Sequence, residues 1–293
     1  MPIKALVIPG GGLNFFVYYG IIKTLQEHNK WQYENLHSIY ATSCGSIIAC
    51  LILSKLKWAD IDTYLLDRPW HKTWKLDINM LINSFSSNGL IDIKFLESFF
   101  EPILNTCGWN KHITLKELYD ITGIKLYLFA TRFDDFKPIV FNHNTYPDLP
   151  LIYAIYISCT IIPLFKPLEW KNKYFIDGFY SGTDNPINYA LKTIDEKELL
   201  TFNFIIKDET NINHDIKNIT LLELTFITLT KIIDKQFKKY YKKSKIKTTN
   251  QVHLYFIPFN SQPWKDFIYD KNIRKNLINK GIEYGNIFLN YDY

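Results

Sequence analysis

Short apolar runs that end in turn residues alternate along the chain with segments whose apolar residues recur at helical spacing. The run from Ile3 to Ile8 has the length and the Ile and Val content of a buried strand, and it ends at Pro9 and three glycines. The next segment, Asn14 to Glu27, has the spacing of a helix. Such alternation favours an α/β fold with a largely parallel central sheet flanked by helices on both faces.

The same order of strand, turn and helix surrounds one serine. The pattern predicts a strand over Leu36 to Ala41 and a buried helix over Gly45 to Leu53, with Ser43 in the turn between them. A sharp turn flanked by small residues lets a serine hydroxyl stand clear of the sheet, as in a nucleophile elbow. Ser43 is therefore the candidate nucleophile.

A further apolar strand, Lys173 to Ile176, leads directly into Asp177 and a glycine. A serine nucleophile needs a base, and the oxyanion formed during acyl transfer needs preorganised amide donors. Asp177 is the candidate base. Glycines before a helix leave their amides unobstructed, so the first glycine turn is the candidate oxyanion hole, formed by Gly10, Gly11 and Gly12.

These motifs resemble, in order and spacing, those of the patatin-like phospholipases: a glycine-rich loop, a Gly-x-Ser-x-Gly elbow and an Asp-Gly-Gly or Asp-Gly-Ala. Ala154 to Phe165 is similar to a family helix that ends in Pro and Phe, and Asp184 to Ile187 contains a similar Asn-x-Pro. Asn272 to Gly281 resembles the family's terminal helix. The resemblance implies one patatin-like domain over residues 1–293, built as a three-layer α/β sandwich.

The resemblance also implies a Ser43-Asp177 dyad that needs no cofactor and no metal. Ser43 would attack the carbonyl of a phospholipid or another acyl ester while Asp177 accepts the proton, and the amides of Gly11 and Gly12 would hold the oxyanion. An aspartate with an ordinary pKa of about 3.9 is a weak base for serine. We therefore expect geometry and the oxyanion hole to provide most of the rate.

Four positions depart from the family pattern. Asn14 and Phe15 stand where the family has Arg and Gly, Ala41 replaces the first elbow glycine, and Phe179 replaces the last residue of Asp-Gly-Gly. These changes leave the nucleophile and base in place. The alternative to an active hydrolase is a catalytically impaired lipid-binding or membrane-recruited protein on the same fold.

Four further residues are candidates for roles in the site. Asn14 could donate a neutral hydrogen bond where the family has a cation, so Asn14 and Cys44, which adjoins Ser43, are candidate substrate contacts. His214 and His253 follow Asp177, as an ordinary Ser-Asp-His triad would require, and this alternative stays open.

The net charge of +5 is local, because Lys235 to Lys247 holds seven lysines and no acidic residue. This segment is a candidate for peripheral contact with an anionic membrane, and a solvated basic helix end explains it equally well. The same positive charge would attract the phosphates of a nucleic acid. The motifs indicate no role for nucleic acid, so we expect no nucleic-acid partner.

The chain contains no cue for export, metal binding or membrane insertion. The four cysteines lack Cys-x-x-Cys spacing, so neither a metal site nor a disulfide is expected. A strand follows the first residues at once, which predicts no signal peptide. The longest apolar stretch, Ile219 to Ile233, is short and contains Glu223 and Lys231. We expect an intracellular protein, either cytoplasmic or peripherally membrane-bound, without a transmembrane segment.

Overall fold

The computed structural model describes residues 1–73, 88–162, 164–181, 186–205, 246–258 and 266–291, with a few residues between 224 and 236. In these ranges the strands are β1 (Ala5–Ile8), β2 (Ser38–Thr42), β3 (Lys125–Arg132), β4 (Pro138–Phe141), β5 (Leu168–Trp170), β6 (Lys173–Asp177), β7 (Leu199–Ile205) and β8 (Asn250–Tyr255). The α-helices there are α1 (Asn14–Glu27), α2 (Cys44–Leu53), α3 (Trp58–Asp67), α4 (Trp70–Thr73), α5 (Ile93–Thr106), α6 (Leu115–Thr122), α7 (Leu151–Ser158), α8 (Pro186–Ala190) and α9 (Lys271–Tyr291).

All eight strands belong to one sheet, and hydrogen bonds link them along the path β5-β6-β3-β2-β1-β7-β8, with β4 also paired to β3. The five strands from β3 to β8 in this order run parallel to one another. β4 and β6 run antiparallel to β3, and β5 runs antiparallel to β6. The predicted largely parallel central sheet is confirmed.

Both faces of the sheet are covered by helices. Successive side chains of a strand point to opposite faces, so one strand contributes to two separate cores. On β1, Leu6 and Ile8 pack into the larger core, which includes residues of α1, α2, α5, α7 and α9. Ala5 and Val7 pack into a smaller core on the other face together with Ile187 of α8. The predicted flanking of the sheet by helices is confirmed, with the two outer layers unequal in size.

Strands β2 and β6 meet end to end along one edge of β3. The last residue of β2, Thr42, pairs with Phe129, and the last residue of β6, Asp177, pairs with the next residue, Ala130. β4 pairs with the same two residues of β3 from the opposite edge, so β2 and β6 share one edge. Because β6 runs against β2, the two chain ends converge, and this brings Ser43 close to Asp177.

Several predictions concern residues beyond those described. Most of the apolar stretch from Ile219 to Ile233 and most of the lysine segment from Lys235 to Lys247 lie outside the described residues. None of the helices in the described part of the chain has the length and apolar character needed to span a membrane. The single domain over residues 1–293 stays a prediction.

Candidate active site

Ser43 forms the turn between β2 and α2, and its backbone conformation is one that residues other than glycine rarely adopt. Its φ is 53° and its ψ is −130°. A non-glycine residue held in such a conformation is strained by roughly 1–3 kcal/mol, and such strain is typical of functional turns. The residue is partly exposed, whereas the residues on either side, Thr42 and Cys44, are buried. The turn therefore presents the hydroxyl as a nucleophile elbow does.

Two other serines bind the backbone of this turn. The Oγ of Ser46 donates to the carbonyl oxygen of Ser43. The Oγ of Ser158, at the end of α7, accepts a hydrogen bond from the amide of Ser43 at 2.9 Å. The same Ser158 hydroxyl donates to the carbonyl oxygen of Phe129 at 2.7 Å. Both backbone polar groups of the elbow are thus held by buried serine side chains to which the sequence analysis gives no role.

The glycine loop packs directly against the elbow. A Cβ placed on Gly10 would lie 3.0 Å from the Cβ of Ser43 and 3.7 Å from its Oγ, so a larger residue would crowd the nucleophile. Gly12 has a φ of +56°, which favours glycine. Gly11 and Gly12 accept backbone hydrogen bonds from the first residues of α1, which closes the loop onto the start of that helix.

Asp177 is fully buried and is the last residue of β6. Its Oδ1 accepts a hydrogen bond from the amide of Phe179 at 2.8 Å, and its own amide donates to the carbonyl oxygen of Thr160 at 3.0 Å. Its Oδ2 has no hydrogen-bond partner of standard geometry within the described residues. The hydroxyl of Ser43 lies close enough to this carboxyl to lower its pKa.

Burial makes Asp177 a stronger base than the sequence suggests. Desolvation raises its pKa from 3.8 to about 7, against the smaller opposing effects of Ser43 and the Phe179 amide. The expectation of a weak base with an ordinary pKa is therefore wrong. The sequence places an aspartate at the end of a strand, but the complete burial that shifts its pKa depends on the surrounding layers.

Cys44 lies between the glycine loop and Asp177. Its thiol is buried, and burial together with the nearby Cys159 and Asp177 raises its pKa well above the ordinary value. The backbone amides of Gly11 and Gly12 oppose this shift, because they donate toward the sulfur. The amides of the predicted oxyanion hole thus point at the side chain that adjoins Ser43.

Asn14 is turned inward and contacts the glycine loop itself. Its Nδ2 donates to the carbonyl oxygen of Gly11 at 3.0 Å, and the residue is completely buried. Its Oδ1 has no partner in the described part of the structure. Tyr18, one turn further along α1, donates from its hydroxyl to the carbonyl oxygen of Gly10 at 3.2 Å, a contact that the motifs give no reason to expect.

The alternative Ser-Asp-His triad would use His214 or His253. His214 lies outside the described residues. His253 lies on β8, which is separated from β2 by β1 and β7, so about 14 Å of sheet lies between the two strands. Its Nδ1 is 3.2 Å from the Nδ2 of Asn203 on β7. The structure brings Ser43 and Asp177 together and leaves His253 at the far edge.

The mixed sheet, its helical layers and the strained serine turn between β2 and α2 define an α/β protein with the geometry expected of a nucleophile elbow. A family model described as patatin-like phospholipase matches residues 6–191, which is more than half of the chain. The chain belongs to the patatin-like phospholipase family.

Two curated proteins are similar in sequence. "Probable lipid hydrolase 463L" of Invertebrate iridescent virus 6 is 25% identical over 207 residues, which cover 69% of this chain and 68% of that protein. "Triacylglycerol lipase SDP1L" of Arabidopsis thaliana is 25% identical over 175 residues, which cover 58% of this chain and 20% of that protein. The match thus spans about a fifth of the plant protein.

Two solved structures share the fold. VipD from Legionella pneumophila has a TM-score of 0.56 at 16% identity, over 98% of this chain and 67% of that one. ExoU of Pseudomonas aeruginosa, in complex with SpcU, has a TM-score of 0.50 at 17% identity, over 99% of this chain and 52% of that one. At these identities the likeness concerns the fold alone.

Proposed function

We propose that this protein is a lipid acyl hydrolase that cleaves fatty acyl ester bonds of phospholipids or neutral acyl esters. The observation that carries the proposal is the convergence of β2 and β6 on β3, which sets the strained Ser43 beside the buried Asp177. Membership of the patatin-like phospholipase family and the printed names of the two curated relatives support a lipid ester as substrate.

In the proposed mechanism the Oγ of Ser43 attacks the ester carbonyl carbon while Asp177 accepts the hydroxyl proton. The amides of Gly11 and Gly12, which belong to the glycine loop packed against Ser43, would stabilise the tetrahedral oxyanion. Asp177 returns the proton to the leaving alcohol, and an acyl ester remains on Ser43. Water, deprotonated by Asp177, then attacks that ester and releases the fatty acid, which regenerates the hydroxyl.

The raised pKa of Asp177 supports its role as the base. A general base works best when its pKa lies near the working pH, and this carboxyl has a pKa of about 7. A carboxyl of that pKa is half deprotonated near neutrality and accepts a proton far more readily than an exposed aspartate does. Neither a metal nor a cofactor takes part in the proposed steps.

The test compares wild type with Ser43→Ala and Asp177→Asn, using a fluorophosphonate probe and a soluble short-chain acyl ester. We expect labelling and hydrolysis to be lost in Ser43→Ala and hydrolysis to be lost in Asp177→Asn. Ser54→Ala, which removes a serine hydroxyl bonded to Leu51 at the end of α2, should keep both activities. A folded wild type that neither labels nor hydrolyses would contradict the proposal.

The rival is a lipid-binding or membrane-recruited protein that has lost turnover, and the substitutions at Asn14, Phe15, Ala41 and Phe179 favour it. This function predicts binding to phospholipid vesicles by wild type and by Ser43→Ala alike, with no acid released from either. Product analysis of the active enzyme would also distinguish hydrolysis from acyl transfer, since a lipid alcohol can replace water in the second step.

Peripheral contact with an anionic membrane through Lys235 to Lys247 is a further part of the proposal. Its seven lysines would each contribute about 1 kcal/mol near anionic head groups. Replacing four of them by glutamine should weaken binding to phosphatidylserine vesicles and leave hydrolysis of a soluble ester unchanged. Binding that is insensitive to salt and to these substitutions would exclude this contact.

A further inference from the structure

We infer that Ser158 is a positioning residue that holds Ser43 in its reactive conformation, an inference that rests on the proposed function of Ser43. Ser158 is completely buried at the end of α7, and its hydroxyl joins two segments that carry the site. It accepts from the amide of Ser43 at 2.9 Å and donates to the carbonyl oxygen of Phe129 at 2.7 Å.

The position of Ser158 follows from the junction between β2 and β6. Phe129 pairs with the end of β2, and the neighbouring Ala130 pairs with the end of β6, so the hydrogen-bond ladder changes strand at this point. The carbonyl of Phe129 faces the junction, because a Cβ on Gly178 would lie 2.7 Å from its oxygen. Ser158 donates to this carbonyl and accepts from the amide of Ser43, so its hydroxyl connects the end of β2 to β3 at the junction.

The direction of the two bonds gives Ser158 a defined effect on the nucleophile. A serine hydroxyl has one proton, and Phe129 accepts it, so the oxygen is left as an acceptor for the amide of Ser43. That bond fixes the amide plane preceding a residue whose φ is 53°. The backbone two residues after Ser158 also contacts the proposed base, because the carbonyl oxygen of Thr160 accepts a hydrogen bond from the amide of Asp177 at 3.0 Å.

Without the hydroxyl, the amide of Ser43 and the carbonyl of Phe129 would lose this shared partner. The elbow would then relax toward a less strained φ, and the Oγ of Ser43 would turn away from Asp177. A displacement of about 1 Å at a reacting group lowers rates on the order of 100-fold. We therefore expect Ser158→Ala to lower kcat by about 10- to 100-fold and to change KM little.

The experiment measures the rate of fluorophosphonate labelling and the kcat and KM for a soluble ester in wild type, Ser158→Ala and Ser158→Cys. It also measures hydrogen exchange at the amide of Ser43. The matched control is Thr201→Val on β7, which removes another fully buried hydroxyl, bonded to Thr248 rather than to the elbow. Urea unfolding establishes that each variant is folded under the assay conditions.

The expected result is slow labelling, low kcat and faster exchange of the Ser43 amide in Ser158→Ala, with normal values in Thr201→Val at similar stability. Ser158→Cys keeps the size and a weak acceptor, so it should recover part of the rate and serves if Ser158→Ala does not fold. Wild-type labelling and exchange in both Ser158 variants, or equal losses in Thr201→Val, would overturn the inference.

Failure of the proposed function gives a different result. If wild type neither labels nor hydrolyses, Ser43 is not a working nucleophile, and the exchange of its amide still decides whether Ser158 holds the turn. If wild type is active and Ser158→Ala is equally active, only the inference about Ser158 fails.

Discussion

Asp177→Asn should stabilise the folded protein while it removes hydrolysis. The carboxyl is fully buried and its Oδ2 lacks a standard hydrogen-bond partner in the described structure, so the ionised form is poorly solvated. Its pKa is raised from 3.8 to about 7, a shift of roughly 3 units at about 1.4 kcal/mol each. Ionised Asp177 therefore costs about 4 kcal/mol of folding stability, and neutral asparagine avoids that cost.

The sign of the pH dependence follows from the direction of the shift. The folded state binds the Asp177 proton more tightly than the unfolded state does, so this residue's contribution is most favourable below pH 4 and is lost as the pH rises to 7. The stability advantage of Asp177→Asn should grow by about 1.4 kcal/mol per pH unit between about pH 4 and 7 and level off above pH 7.

Urea unfolding of both proteins at pH 5, 6, 7 and 8 tests this prediction. We expect the difference in unfolding free energy to increase by about 2 to 3 kcal/mol from pH 5 to pH 8. Asp148→Asn, which changes an aspartate whose side chain is 73% exposed, is the matched control for the substitution. A constant difference for Asp177→Asn would mean that the buried carboxyl titrates normally, and the argument for a strong base would fail.

Three further predictions concern the rate and the loop. The kcat/KM of wild type should rise with pH through an apparent pKa of about 7, because Asp177 must be deprotonated, and a pH-rate profile showing no such limb would contradict this role. Gly45→Ala should destabilise the fold by about 1–3 kcal/mol or more in urea unfolding and slow labelling of Ser43, since its Cβ would lie 2.3 Å from the carbonyl oxygen of Ile8. Asn14→Arg, which introduces the family residue, should lower thermal stability and activity, because the position is fully buried and the Asn14 side chain donates there only to a neutral carbonyl, that of Gly11; equal or higher activity would refute this.

Local pattern was enough to predict the elements that carry the site. Helix α1 begins at Asn14 and ends at Glu27 as its apolar spacing predicts, and the strand before Ser43 ends at Thr42, one residue later than predicted. These features depend on residues that are neighbours in sequence, such as the glycines that end an apolar run.

The arrangement of the site depends on long-range pairing that no local pattern contains. The convergence on β3 joins residues more than 100 positions apart in sequence, since the amide of Ser43 bonds to Ser158. Ser158 was part of a segment identified by resemblance, yet nothing in its neighbourhood indicated which backbone groups its hydroxyl would bind. The raised pKa of Asp177 could not be predicted from local sequence either, because the desolvation that raises it comes from packing around the end of β6.

The cost of this arrangement bears on whether catalysis has been retained. Ser43 holds a φ of 53°, and Asp177 is buried with a raised pKa. Both features lower the stability of the folded state, and packing alone does not require either residue. A protein that only bound lipid would be more stable with glycine at the turn and asparagine at the strand end. Glycine in place of Ser43, or a neutral residue in place of Asp177, would relieve this cost, so the presence of both residues is what the proposed hydrolase predicts and what an impaired relative does not require.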